Sequence, residues 1–133
     1  MSGASLVYLD SSAAAKLILD ESETEALRAF LRDWPRQVSS ELVAIELTRT
    51  VRRKARRRIV LLDDVLSQFY LRPIESDVVI VAGLVEPPVL KSLDAIHLAT
   101  AVLLREAIGC FVTYDKRLAN AARSIGLPVA APV

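Results

Sequence analysis

Short strand-like runs alternate with helical patterns along the whole chain, and no two runs are joined by a hairpin signal such as Asn-Gly or Asp-Gly. Strands that are each followed by a helix imply crossover connections, hence a mainly parallel sheet with helices on both faces. The first strand is Leu6–Leu9, a continuous apolar run suited to a buried position. Further strands are expected at 37–39, 71–75, 110–113 and, at an edge, 128–131. Between them, Ser11 and Ser12 provide cap chemistry for a helix to about Leu19, and Ser22 with Glu25 forms a capping box ahead of Leu27, Phe30, Leu31 and Trp34. Ser40 caps a long helix with Val43, Leu47 and Val51 on one face. Asp63 and Asp64 open a helix to about Tyr70, and another covers 77–85, broken by Glu86-Pro87-Pro88. Ser92 caps a helix over 93–107 ended by Gly109, and a last helix over 116–125 is closed by Gly126. The fold class is α/β: a three-layer α/β/α sandwich with a mainly parallel central sheet.

The 133 residues, 53% hydrophobic and 25% charged, suit one globular domain spanning 1–133. No apolar run approaches the roughly 20 residues that span a bilayer, so no membrane association is expected. The start, MSGASLVYLD, lacks a basic n-region and a long apolar h-region, which argues against a secretory signal. Cys110 is the sole cysteine, so no internal disulfide forms and a reducing cytoplasm fits. No Cys/His spacing suggests zinc.

Charge is unevenly spread. Residues 49–58 (RTVRRKARRR) hold seven of the 17 basic residues and no acid, leaving ten basic against 16 acidic residues elsewhere. A basic patch beside an acidic body attracts a polyanion while keeping a cation-binding pocket; the alternative is a solvated helix surface. Arg49, Arg52, Arg53 and Arg56 are the candidates for holding a nucleic-acid backbone.

Four acids carry the chemistry. Asp10 follows the first strand and Asp115 follows the run 110–114, so both belong at the carboxyl edge of the sheet, where ligands of open parallel sheets bind. Asp94 lies in the first turn of a nearly all-apolar helix, and Glu46 interrupts the apolar pattern of another. Each alone has an ordinary reading: a turn, a cap, a dipole partner, or an i, i+3 pair with Arg49. Together they make a cluster of hard oxygen donors suited to Mg²⁺, with Mn²⁺ as substitute. Ser11, Ser12 and Thr113 border the acids as supporting groups or as caps and turns. His97, the only histidine, shares a stripe with Asp94 and reads as a buried, hydrogen-bonded residue rather than a catalytic one.

The segments LVYLDSSAAAKL, VSSELVAIELTRTVRR, LKSLDAIHLATA and FVTYDKRLANAARSIGL, in that order and spacing, make the chain resemble PIN-domain proteins, specifically the VapC-type toxin ribonucleases of type II toxin–antitoxin systems. The resemblance implies Asp10, Glu46, Asp94 and Asp115 as metal-binding and catalytic acids, with Glu41 off register. It also implies a Mg²⁺ or Mn²⁺ requirement, an RNA substrate cut to 5′-phosphate and 3′-hydroxyl ends, a homodimer, and a cognate VapB-type antitoxin covering the acidic pocket. Two other readings stand beside it. One is a receiver-like signalling domain with an acidic Mg²⁺ pocket; the other is a non-catalytic module binding nucleic acid or a partner through its basic helix.

Overall fold

A computed structural model describes residues 4–133. Its elements run β1 (Leu6–Leu9), α1 (Ser11–Ala15), α2 (Thr24–Leu31), β2 (Arg36–Ser40), α3 (Leu42–Lys54), a 3₁₀ segment (Arg56–Leu61), α4 (Leu62–Leu66), β3 (Phe69–Arg72), α5 (Ser76–Leu84), α6 (Ser92–Leu103), β4 (Ile108–Val112), α7 (Lys116–Ser124) and β5 (Val129–Ala130). The five strands form one sheet in the order β3-β2-β1-β4-β5, and every pairing is parallel. The chain is therefore the expected three-layer α/β fold, with β1 at the centre.

Alternation along β1 divides the core in two. Val7 and Leu9 point to the side occupied by Ala13 and Ala14 of α1, Leu27 of α2, and Val43, Leu47 and Val51 of α3. Tyr8 points to the other side, where it meets Leu98 and Ala101 of α6 and Leu118, Ala121 and Ala122 of α7. Burial of both strand faces is why β1 reads as an unbroken apolar run. Helix α5, which packs on α6, is apolar nearly all round, yet only Val78 is buried.

Several boundaries differ from the sequence expectations, each for a local reason. The third strand is Phe69–Arg72 rather than 71–75, because α4 stops at Leu66 and Phe69 enters the sheet opposite Gln37. Apolar residues spaced like Val65, Leu66 and Phe69 suit a helix, yet Phe69 with Tyr70 and Leu71 also suits a strand, and the paired edge of β2 decides. No Ser22 capping box forms: Glu23 holds the N-cap position, while the Thr24 hydroxyl donates to Lys16 O (2.8 Å) and Leu19 O (3.0 Å) and accepts from Glu21 N (3.0 Å). Helix α6 ends at Leu103, and Gly109 lies inside β4 instead of terminating a helix. A Cβ on Gly109 would stand 2.6 Å from the Ala4 carbonyl oxygen and 2.7 Å from the Trp34 ring, so close approach excludes a side chain there. Gly126 closes α7 with φ +85°, the left-handed conformation that glycine accepts without strain.

Candidate active site

The carboxyl edge of the sheet gathers Asp10 first. The backbone stays extended at Asp10 as it leaves β1, which makes Asp10 itself, rather than Ser11 or Ser12, the N-cap of α1. Its Oδ1 accepts from Ala13 N (3.0 Å) and Ser12 Oγ (2.7 Å), and its Oδ2 accepts from Thr113 Oγ1 (2.6 Å). Thr113 stands there because β1 and β4 pair in parallel with Leu9 opposite Val112. The same hydroxyls bind the neighbouring loop: Ser12 Oγ accepts from Tyr114 N (2.9 Å), and Thr113 Oγ1 accepts from Asp115 N (3.1 Å). Ser12 and Thr113 thus join Asp10 to the loop that carries Asp115, while the Ser11 hydroxyl takes no part in this network. Asp115 is the N-cap of α7, its Oδ1 accepting from Leu118 N (2.9 Å).

Glu46 and Asp94 arrive from helices. Glu46 sits in the second turn of α3, and its Oε1 is 2.7 Å from His97 Nε2. His97 is wholly buried, and its Nδ1 is 2.7 Å from the Tyr8 hydroxyl. Asp94, in the first turn of α6, is half-buried, and its carboxylate has no hydrogen-bond or ion-pair partner among the described residues.

A cleft of about 690 Å³ opens onto Glu46, Asp94 and Asp115, with Lys91, Lys116 and Arg117 on its walls. The electrostatics report how close the acids lie. Burial raises the Asp94 carboxyl above the ordinary carboxylate range, and the charges of Asp115, Asp10 and Glu46 push the same way against the opposing His97. Burial also raises Asp10, opposed by His97 and by the hydrogen bonds from Thr113, Ser12 and Ala13. No lysine or arginine pairs with any of the four acids among the described residues. Nor do three or more His, Cys, Asp or Glu side chains among those residues converge tightly enough to hold a cation as they stand. Each acid except Asp94 rests against a donor of its own.

The donor set nevertheless suits a hard divalent cation, being all carboxylate oxygen, free of lysine or arginine ion pairs among the described residues, with Glu46, Asp94 and Asp115 open to the cleft. Glu41 lies outside it, with its carboxylate accepting from Ile74 N (2.7 Å). The arginine run stands apart from the lining of this cleft. Arg49, Arg52, Arg53 and Arg56 are exposed and unpaired among the described residues, but α3 carries them away from the cleft at about 1.5 Å per residue. Arg49 is one turn from Glu46, whereas Arg56 lies beyond the end of the helix. The cations that do line the cleft, Lys91, Lys116 and Arg117, went unnoticed in the sequence; their signal is adjacency, since each flanks the Asp94 cap region or Asp115.

A family model for the PIN domain matches residues 7–124, a span that contains all four acids. Ribonuclease VapC46 of Mycobacterium tuberculosis is 41% identical over 132 residues, covering 95% of this chain and 97% of its own. Ribonuclease VapC47 of the same species is 37% identical over 138 residues, with 96% and 97% covered. Among solved structures, Mycobacterium tuberculosis VapC20, described as a toxin cleaving the sarcin–ricin loop, aligns with TM-score 0.72 at 18% identity over 95% of this chain and 99% of its own. VapBC2 from Rickettsia felis, bound to a DNA fragment from its promoter, aligns with TM-score 0.73 at 15% identity, covering 96% of this chain and 99% of that one; both structures share the fold. The receiver-like reading is thereby set aside: the chain belongs to the PIN-domain family and, within it, to the VapC proteins.

Proposed function

We propose that this chain is a divalent-cation-dependent endoribonuclease acting as the toxin of a toxin–antitoxin pair, through a single PIN-like nuclease domain over residues 1–133. The observation that carries this reading is Asp94: a half-buried carboxylate facing the charges of Asp115, Asp10 and Glu46, with no lysine or arginine paired to any of the four among the described residues. A Mg²⁺ ion, or Mn²⁺ in its place, held by Asp10, Glu46, Asp94 and Asp115 would offset them. When bound, such an ion stabilises charge on phosphoryl oxygens and eases loss of a proton from an attacking water.

The protein's own groups do the rest. Ser12, Thr113 and the Ala13 amide fix the Asp10 carboxyl in place and favour its ionised form against the burial that opposes it. Lys91, Lys116 and Arg117 seat the phosphates of the RNA strand, and Arg49 extends that grip along α3. Water adds to phosphorus in line as the bond to the 3′ oxygen breaks, leaving 5′-phosphate and 3′-hydroxyl ends.

A homodimer is supported by α5, which exposes Val79 (62%), Ile80 (63%) and Leu84 (74%), more apolar surface than one helix normally leaves in water. A VapB-type antitoxin is the proposed partner, in line with the VapC relatives. A cytoplasmic setting suits Cys110, a buried free thiol, and no described helix is long and apolar enough to cross a membrane. The test is cleavage of RNA by purified protein with Mg²⁺ or Mn²⁺, with chelator, and with Asp94→Asn. Cleavage that survives both chelation and Asp94→Asn would remove the basis for the reading.

A further inference from the structure

The four acids are not held alike. Asp10 and Asp115 cap helices and are oriented by backbone N–H groups that no helical bond uses. Glu46 has no such option, because the N–H groups around a mid-helix residue are already spent on the carbonyls one turn back. Its longer side chain also has more torsions to fix, and Arg49, one turn along α3, offers an exposed ion pair that would draw it off the cleft. Something outside α3 must aim it.

That partner is His97, reaching from α6. His97 and Tyr8 are both wholly buried, and their contacts form an ordered chain. The Tyr8 oxygen accepts from Ser40 N (3.2 Å), and the same hydroxyl lies 2.7 Å from His97 Nδ1. Because the Glu46 carboxylate only accepts, His97 carries a proton on Nε2 and donates it to Oε1 at 2.7 Å. Tyr8 is fixed in turn by stacking on Phe111, with ring centroids 5.1 Å apart, and meets His97 edge-on at 5.8 Å. The chain links β1, α3 and α6, the elements that position Asp10, Glu46 and Asp94.

Resting on the nuclease reading above, we propose that Tyr8 and His97 are positioning residues that aim the Glu46 carboxylate at the cation site. Neither touches substrate; both act through Glu46. Tyr8→Phe removes one oxygen and no volume, so it breaks the chain at its far end with the core packing kept. His97→Gln keeps an N–H that can reach Glu46, and His97→Leu keeps none.

The experiment measures Mn²⁺ affinity of the metal-stripped protein by electron paramagnetic resonance of free Mn²⁺, beside kcat and KM on an RNA substrate. Tyr8→Phe and His97→Leu are expected to lose roughly 10–100-fold in Mn²⁺ affinity and in kcat, as other partners of metal ligands do, with KM for RNA unchanged. His97→Gln is expected to recover most of that loss. Should His97→Leu fail to fold, Tyr8→Phe decides. The proposal is overturned if folded Tyr8→Phe binds Mn²⁺ and turns over as wild type does, or if His97→Gln is no better than a folded His97→Leu. Glu46→Gln serves as reference: wild-type Mn²⁺ binding and cleavage in that variant would sink the nuclease site itself, whereas its failure beside intact Tyr8 and His97 variants sinks only the aiming role.

Discussion

Thr113 and Asp10 stand on neighbouring parallel strands, and the 2.6 Å bond from Thr113 Oγ1 to Asp10 Oδ2 ties the central carboxylate to the strand beside it. Thr113 is 1% exposed and also accepts from Asp115 N, so one hydroxyl serves two of the four acids. Thr113→Val keeps the shape and deletes both bonds. It is expected to cost about 1–3 kcal/mol in urea unfolding and to weaken Mn²⁺ binding, whereas Thr113→Ser keeps most of both. Equal stability of the Val and Ser variants would show that these bonds contribute nothing.

The raised carboxyls of Asp10 and Asp94 make a pH prediction with a definite sign. A carboxyl whose folded value lies above its unfolded value binds more protons in the folded state, so stability falls as pH rises through that interval. The metal-free protein is therefore expected to melt higher at a pH just above the ordinary carboxylate range than at neutral pH. Saturating Mn²⁺ should reverse the slope, because the cation favours the ionised forms. Melting curves across pH with and without Mn²⁺ check this, and a metal-free profile that climbs toward neutrality would contradict it.

Asp94→Asn removes a charge that sits among like charges and makes no hydrogen bond among the described residues. Its metal-free melting temperature is expected to rise at neutral pH while cleavage falls by more than the roughly 100-fold typical of losing a ligand's partner. A variant that melts lower with cleavage intact would mean the carboxylates neither repel one another nor serve a cation.

The cleft cations should separate from the arginine run in the salt dependence of RNA binding. Losing one phosphate contact to a single strand lowers the log–log slope by about 0.7. Lys116→Ala, Arg117→Ala and Lys91→Ala are each expected to show that change, while Arg52→Ala leaves the slope as it was. Titrations of the substrate against the Asp94→Asn protein, which binds without cutting, give the numbers; the opposite ranking would move the RNA onto α3.

Gly109→Ala tests the strand rather than the site. With the Ala4 carbonyl and the Trp34 ring both under 3 Å from the new methyl, backbone or ring must shift. A loss of about 1–3 kcal/mol is expected in denaturant unfolding.

Where a single local pattern decides the structure, the sequence was legible. Leu6–Leu9 reads as a buried strand because both its faces are buried, and the parallel sheet follows from the lack of hairpin turns. Asp10, Asp94 and Asp115 were placed at one edge by strand ends and a helix start, features that sequence spacing records. Legibility failed where tertiary contact overrides local preference. Phe69 could continue a helix until β2 offers it a paired edge, and Gly109 looks like a helix stop until Trp34 lies against it. Lys116 and Arg117 offer only their adjacency to Asp115 as a signal, because which side of α7 meets the cleft depends on how that helix packs. His97 was correctly read as buried and hydrogen-bonded, but its partners, 89 and 51 residues away, belong to the fold alone.

The seam between β1 and β4 does more than close the sheet. Parallel neighbours slide only in whole steps, and a slip of one residue would turn Thr113 away from Asp10 and carry the Asp115 loop with it. Alignment of these two strands and assembly of the cation pocket are thus one event. Packing defects at Val7 or Phe111, far from any solvent, should announce themselves as lost turnover before they announce themselves as lost folding.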